Sequence, residues 1–199
     1  MEQVRKDASY SVGMSIGQSL QGQNLDQIDL EAFVEGIQAI FKGETLKWTP
    51  EEANTKIGTY LEAVNKSRFA SNKTAGAEFL AANGTKEGVT TLESGLQYEI
   101  VTEGSGEKPS PESQVTVHYH GTLPDGTVFD SSVSRGEPAT FGVNQVIKGW
   151  TEALQLMPAG SKWKLYIPEN LAYGANPHPG GPIKPYMALI FDVELISIN

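Results

Sequence analysis

Val117-His118-Tyr119-His120-Gly121-Thr122-Leu123-Pro124-Asp125-Gly126-Thr127-Val128-Phe129-Asp130-Ser131-Ser132 is the stretch on which the fold turns. A period of two places Val115, Val117 and Tyr119 on one strand face and Thr116, His118 and His120 on the other, so the tyrosine faces the core. Pro124, Asp125 and Gly126 then form a tight turn, and Val128-Phe129-Asp130 runs back from it.

The same alternation recurs on either side. Leu96 to Val101, Ser161 to Ile167 and Ala188 to Ile198 are predicted strands, with Leu189, Phe191, Val193 and Leu195 on one face of the last and Asp192 and Glu194 on the other. One good helix is predicted among them, over Ile147 to Met157, with Trp150, Ala153, Leu154 and Met157 as its apolar stripe. The expected architecture is α+β: a twisted antiparallel sheet wrapped on one short helix.

Before about Gly84 the apolar residues instead recur at helical spacing, which puts the boundary between two regions within Asn83 to Ser94. A first helix is predicted over Asp7 to Leu20, with Val12, Ile16 and Leu20 in line. Gly13 and Gly17 either admit a close neighbour or simply weaken this helix. Asp29 is the expected cap of a second helix carrying Leu30, Phe33, Val34, Ile37 and Phe41 and ending at Gly43. Thr49-Pro50-Glu51-Glu52 starts a third as a capping box with proline at the first helical position.

The third stripe, Ala53, Ile57, Tyr60, Leu61 and Val64, fades into a polar stretch before Phe79 and Leu80 resume. A continuous helix of about 33 residues would be roughly 50 Å long, and a polar section that buries little suits a bridge between bodies. Three helices of modest apolar content make a thin core, which predicts that this region gains its core by pairing with a second copy. The expected organisation is therefore a helical dimerisation region over 1–48, a long connecting helix and linker over 49–87, and the sheet domain over 88–199.

Composition narrows the function. The 199 residues include 24 acidic and 15 basic ones, a formal charge of -9, and the basic residues are scattered, which argues against nucleic acid as a partner. Cysteine is absent, so disulfides, thiol nucleophiles and cysteine-bound zinc are excluded. No stretch is apolar enough to span a bilayer. Arg5, Lys6 and Asp7 interrupt the opening segment, so the chain reads as cytoplasmic, although a periplasmic or cell-surface form trimmed of a leader would read the same.

Conventional catalytic groups are few. His118 and His120 share a strand face but lack a third metal ligand, so no metal or cofactor is expected. Asp125 and Asp130 could pair for acid-base work, but Asp125 is better explained as a turn residue. The unusual feature is an aromatic set: Tyr119, Phe129, Phe141, Trp150, Tyr173 and Phe191. Taken singly, each reads as core.

The quoted stretch resembles the signature segment of FK506-binding-protein (FKBP-type) peptidyl-prolyl isomerases. The similarity continues in Val146-Ile147-Lys148-Gly149-Trp150, in Leu171-Ala172-Tyr173-Gly174 and in Leu189-Ile190-Phe191-Asp192-Val193, in the family's order. The layout of the N-terminal half resembles the bacterial macrophage-infectivity-potentiator-like subgroup, in which a long helix joins a helical dimer to two isomerase domains. The resemblance implies a prolyl isomerase that assists protein folding, with chaperone activity, as a homodimer. It implies proline-containing unfolded or partly folded proteins as substrates and macrolides such as rapamycin as inhibitors.

By the same resemblance, Tyr119, Phe129, Asp130 and Tyr173 would be the catalytic residues and Phe141, Val146, Ile147, Trp150 and Phe191 the substrate and macrolide wall. Trp150 would lie under the proline ring, and the Ile147 amide would hold a carbonyl. Asp130 beside so many rings requires hydrogen bonds, with Tyr119 as the expected donor; the alternative is that it anchors its loop through Ser131 and Ser132. His120 where many relatives have threonine, a short segment around Phe141 to Val146 and a proline-rich loop over 176–185 depart from the family pattern.

Three other functions compete. A non-catalytic chaperone would use the same pocket to hold chains. A structural dimer would carry a degenerate isomerase domain. A hydrolase using His178 with Asp130 would need a nucleophile that no motif supplies.

Overall fold

The alternating segments assemble into one antiparallel sheet of seven strands, seen in a computed structural model that describes residues 1–199. The strands are β1 (Val89–Thr91), β2 (Gln97–Thr102), β3 (Gln114–Thr122), β4 (Val128–Ser131), β5 (Ala139–Gly142), β6 (Lys162–Ile167) and β7 (Leu189–Ile198). Their order is β1-β2-β6-β7-β3-β4, and β5 shares with β4 the outer edge of β3. The four long strands match the sequence expectation within about two residues. The short β1 and β5 went unseen because three or four residues carry too little alternation.

As expected, β3 buries Val115, Val117 and Tyr119 and leaves Thr116, His118 and His120 only partly covered. The histidines are used locally: Nδ1 of His118 lies 3.1 Å from Ser132 Oγ, and Nδ1 of His120 lies 3.0 Å from Ser131 Oγ. The helix α6 (Lys148–Leu154) lies on the core face, with Trp150, Ala153 and Leu154 buried. Its approach is close, since a Cβ at Gly149 would stand 2.6 Å from Ile167 Cγ2. Leu165, Ile167, Val193 and Leu195, all fully buried, complete the core.

The helical half comprises α1 (Glu2–Gly22), α2 (Leu30–Lys42), α3 (Pro50–Arg68) and α4 (Ala70–Asn83). The predicted starts and stop are present: Asp29 caps α2 through Ala32 N–H at 2.9 Å, and Gly43 closes it at φ +66°. Thr49 and Glu52 exchange both capping-box bonds, at 2.9 and 3.3 Å. The helical stretch expected over 49–87 is divided at Phe69, whose φ of -114° leaves the helical region.

The chain separates into compact units at 1–68 and 69–199, so α4 belongs with the sheet instead of a free linker. The expectation that this polar section buries little does not hold there. Asn72 is partly covered and Gly76 and Asn83 are buried, a stripe at helical spacing. The Asn83 side-chain amide donates to Gln97 Oε1 at 3.0 Å, and Gln97 Nε2 donates to Leu80 O at 2.8 Å. Polar residues escaped the hydrophobic count because they bury by hydrogen bonding.

In the 1–68 unit, Arg68 holds Asp26 at 2.9 and 3.0 Å and Asn24 at 3.1 Å, and Tyr60 Oη donates to Gln27 O at 2.9 Å. These bonds pin the α1–α2 connection to α3. The apolar residues are less well provided for: no residue of α1 or α2 is buried, and Phe41 is 85% exposed.

Candidate active site

All nine residues expected to form the site line one cavity of about 570 Å³, a size that suits a small ligand. They arrive from separate elements. β3 supplies Tyr119, β4 Phe129 and Asp130, β5 Phe141 and β7 Phe191. Val146, Ile147 and Trp150 come from the entry to α6 and its first turn, and Tyr173 from the loop beyond Leu171.

Strict alternation would send consecutive Phe129 and Asp130 to opposite faces. A register shift prevents this: Gly121 pairs with Asp130 and Thr122 with Val128, leaving Phe129 as an extra residue. A bulge of this kind re-aims side chains, and here both neighbours reach the cavity. Gly121 is the complement of the bulge, because a Cβ there would lie 2.6 Å from the Phe129 ring and 3.0 Å from that of Phe191.

The floor is aromatic. Trp150 meets Tyr119, Phe141 and Phe191 edge to face, with centroids 5.4, 5.9 and 5.2 Å away. Phe129 stands against Phe191 in the same manner at 5.3 Å. Such contacts favour one arrangement of rings over sliding alternatives. Ile147 is the residue preceding α6 and accepts from Trp150 and Thr151 N–H at 2.9 and 3.1 Å. Its own N–H is one of those a helix start leaves without an intrahelical partner.

The polar rim is a three-residue network. Tyr119 Oη donates to Asp130 Oδ2 at 2.5 Å, Arg135 Nη1 donates to Asp130 Oδ1, and Arg135 Nη2 donates to Tyr119 Oη at 2.8 Å. Burial alone would raise the Asp130 carboxyl, but the Tyr119 and Arg135 bonds and the Arg135 charge outweigh it, and the group sits below the ordinary carboxylate value. Burial, then Asp130, pushes the Tyr119 hydroxyl up against the opposing pull of Arg135. Burial and the Asp130 charge raise Tyr173 likewise. At neutral pH the network therefore holds an anion, a cation and a neutral donor. Of the two expectations for Asp130, the tyrosine partner is present and the Ser131 backbone N–H also helps depress the carboxyl; the Ser131 and Ser132 hydroxyls serve the histidines, the backbone of β3 and the turn that follows.

Arg135 and Gln145 were missed by sequence reasoning; His178 was weighed only as a hydrolase partner of Asp130, and Gly181–Pro182–Ile183 only as part of the divergent 176–185 loop, yet these last four line the cavity, as Gln145 does. A signal for Arg135 existed. Ser131 caps the single turn α5 (Ser132–Arg135) through Ser134 N–H at 3.1 Å, and Gly136 ends it at φ +79°. That Ser-to-Gly frame folds the arginine back onto the aspartate.

A bulged sheet wrapped on a short helix, with a ring-lined cavity whose wall holds no serine, threonine, cysteine or lysine, defines a class. The family described as FKBP-type peptidyl-prolyl cis-trans isomerase matches residues 105–196, and the domain amino terminal to FKBP-type peptidyl-prolyl isomerase matches residues 5–100. The chain belongs to the FKBP-type peptidyl-prolyl cis-trans isomerase family and is an enzyme of that activity.

It is 45% identical over 198 residues to the outer membrane protein MIP of Legionella longbeachae, covering 96% of this chain and 84% of that protein. It is 44% identical over 198 residues to the FKBP-type 22 kDa peptidyl-prolyl cis-trans isomerase of Escherichia coli K12, covering 98% and 96%. The crystal structure of FkpA from Escherichia coli matches with a TM-score of 0.65 at 33% identity, over 99% of this chain and 95% of that one. No helix of the chain is long and apolar enough to cross a membrane.

Proposed function

We propose that the cavity over Trp150 is where the prolyl bond rotates, with Tyr119, Phe129, Asp130 and Tyr173 as the catalytic groups. The carrying observation is the convergence of these four with Phe141, Val146, Ile147, Trp150 and Phe191 on one cavity. Rotation is opposed by about 18–20 kcal/mol of lost amide resonance, and no bond has to be made or broken. A twisted amide carries a less delocalised, less polar carbonyl, so a water-poor aromatic site fits it better than it fits the planar form. The proline ring would lie on Trp150, and the Ile147 N–H would hold a carbonyl outside the rotating bond. Asp130, fixed by Tyr119 and Arg135, contributes an oriented charge at the rim.

Substrates are proline-containing unfolded or partly folded proteins, and macrolides such as rapamycin occupy the same cavity. Phe129→Ala and Asp130→Ala lower isomerisation of a prolyl peptide while the fold is kept; full rates in both would remove the assignment.

The working form is a homodimer joined through the N-terminal helices, with chaperone activity added to catalysis. Support comes from the uncovered apolar residues of α1 and α2, which a single copy leaves in water. Suppression of aggregation of a proline-free client, retained in Phe129→Ala, would show holding independent of catalysis.

A further inference from the structure

Asn72, in the first turn of α4, donates from Nδ2 to the carbonyl of Pro185 at 3.0 Å. The next residue, Tyr186, has φ +62°, a left-handed conformation that a bulky side chain seldom adopts. Its N–H donates to Gly174 O at 2.8 Å. Both polar groups of the Pro185–Tyr186 peptide are thereby held, the carbonyl by α4 and the N–H by Gly174. That N–H bond closes the loop running from Gly174 to Tyr186, which carries His178, Pro182 and Ile183 to the cavity wall.

The foot of the loop is held again nearby. Lys73 Nζ lies 3.2 Å from Glu169 Oε1 and 5.7 Å from the centre of the Tyr186 ring, and Glu169 O accepts Gly174 N–H at 2.9 Å. Gly76 lets the helix come close, since a Cβ there would stand 3.3 Å from Ala188 Cβ.

We infer that Asn72 is a positioning residue for substrate: from a helix outside the cavity it fixes the strained Pro185–Tyr186 peptide, and with it the loop that forms one wall of the prolyl site. Lys73 supports the same foot. This rests on the cavity being the prolyl site. The wall touches residues flanking the proline in both the planar and the twisted state, so its loosening weakens binding more than it slows the bound substrate.

The test uses the full chain and a single-proline peptide, with KM and kcat measured separately for Asn72→Ala and Asn72→Asp. Aspartate has the size of asparagine, but its carboxylate cannot donate to the Pro185 carbonyl. KM rises about three- to tenfold in both, the loss of one hydrogen bond, with kcat within about twofold. The aspartate variant is affected at least as strongly as the alanine one. Exchange of the Tyr186 amide quickens in both, while the β3 and β7 amides are unchanged. An unchanged KM in both variants, or a rise with alanine and none with aspartate, overturns the inference, the latter pattern meaning that Asn72 only fills space. Phe129→Ala, assayed alongside, separates the two readings: its lowered rate with normal Asn72 variants removes the positioning role and leaves the prolyl site standing.

Discussion

Tyr119 Oη lies 2.5 Å from Asp130 Oδ2, and Arg135 bonds to both residues, so the rim carboxylate is held from two sides. The tyrosine is buried on β3 whereas the aspartate side chain is 44% exposed, and the bond between them ties a fixed element to a solvent-facing one.

Tyr119→Phe keeps the ring and removes this donor. Isomerase kcat/KM falls up to about tenfold, matching roughly 1.5 kcal/mol for a hydrogen bond to a charged group. The Asp130 carboxyl, depressed in the folded chain, moves back towards its ordinary value, which carboxyl NMR reads directly. A depressed carboxyl contributes stability that is present above its unfolded value and lost as pH falls through the folded value. The Asp130 contribution is thus complete at neutral pH and disappears only in the acid range below about 4. In Tyr119→Phe the contribution is smaller, and its loss, which still begins near the unfolded value, is complete at a higher pH.

Gly121→Ala puts a methyl where the Phe129 and Phe191 rings already stand. Overpacking of this kind costs about 1–3 kcal/mol. Because both rings line the cavity, activity falls with it. A melting temperature lowered with kcat/KM intact would show that the rings yield without disturbing the site.

Gln97→Leu removes a buried amide that accepts from Asn83 and donates to the Leu80 carbonyl. The Asn83 amide is left without this acceptor inside the protein, at about 1–3 kcal/mol, whereas the Leu80 carbonyl keeps the Gly84 N–H at 2.9 Å. Gln97 lies on β2 and takes no part in the cavity wall, so kcat/KM is unchanged while the denaturation midpoint falls. A fall in activity at temperatures where the variant is fully folded would join this contact to the site.

The sequence foretells these features unequally. Tyr119 and Phe191 fall on inward faces because a two-residue period with apolar neighbours leaves no other placement. Phe129 beside Asp130 is different, since alternation opposes it and only the bulge against Gly121 permits it; resemblance to a family supplied that pair where periodicity could not. Arg135, Asn72 and Gln97 act through hydrogen bonds to partners 16, 113 and 17 positions away. Hydrophobic pattern carries no record of such pairings, and helical propensity alone does not reveal that α4 lies on the sheet.

The remaining prediction concerns association. Phe41 closes the apolar stripe of α2 and is 85% exposed in one copy of the chain. Placing such a side chain in an interface is worth about 1.5–3 kcal/mol, and two-fold symmetry counts it twice. Phe41→Lys therefore raises the dimer dissociation constant by about two to four powers of ten, which sedimentation across a dilution series measures. Because Phe41 packs so little within one copy, the helical content and the activity on a short peptide stay as they were. An unshifted dissociation constant would move the contact away from the end of α2, and a chain that is monomeric from the outset would remove the homodimer altogether.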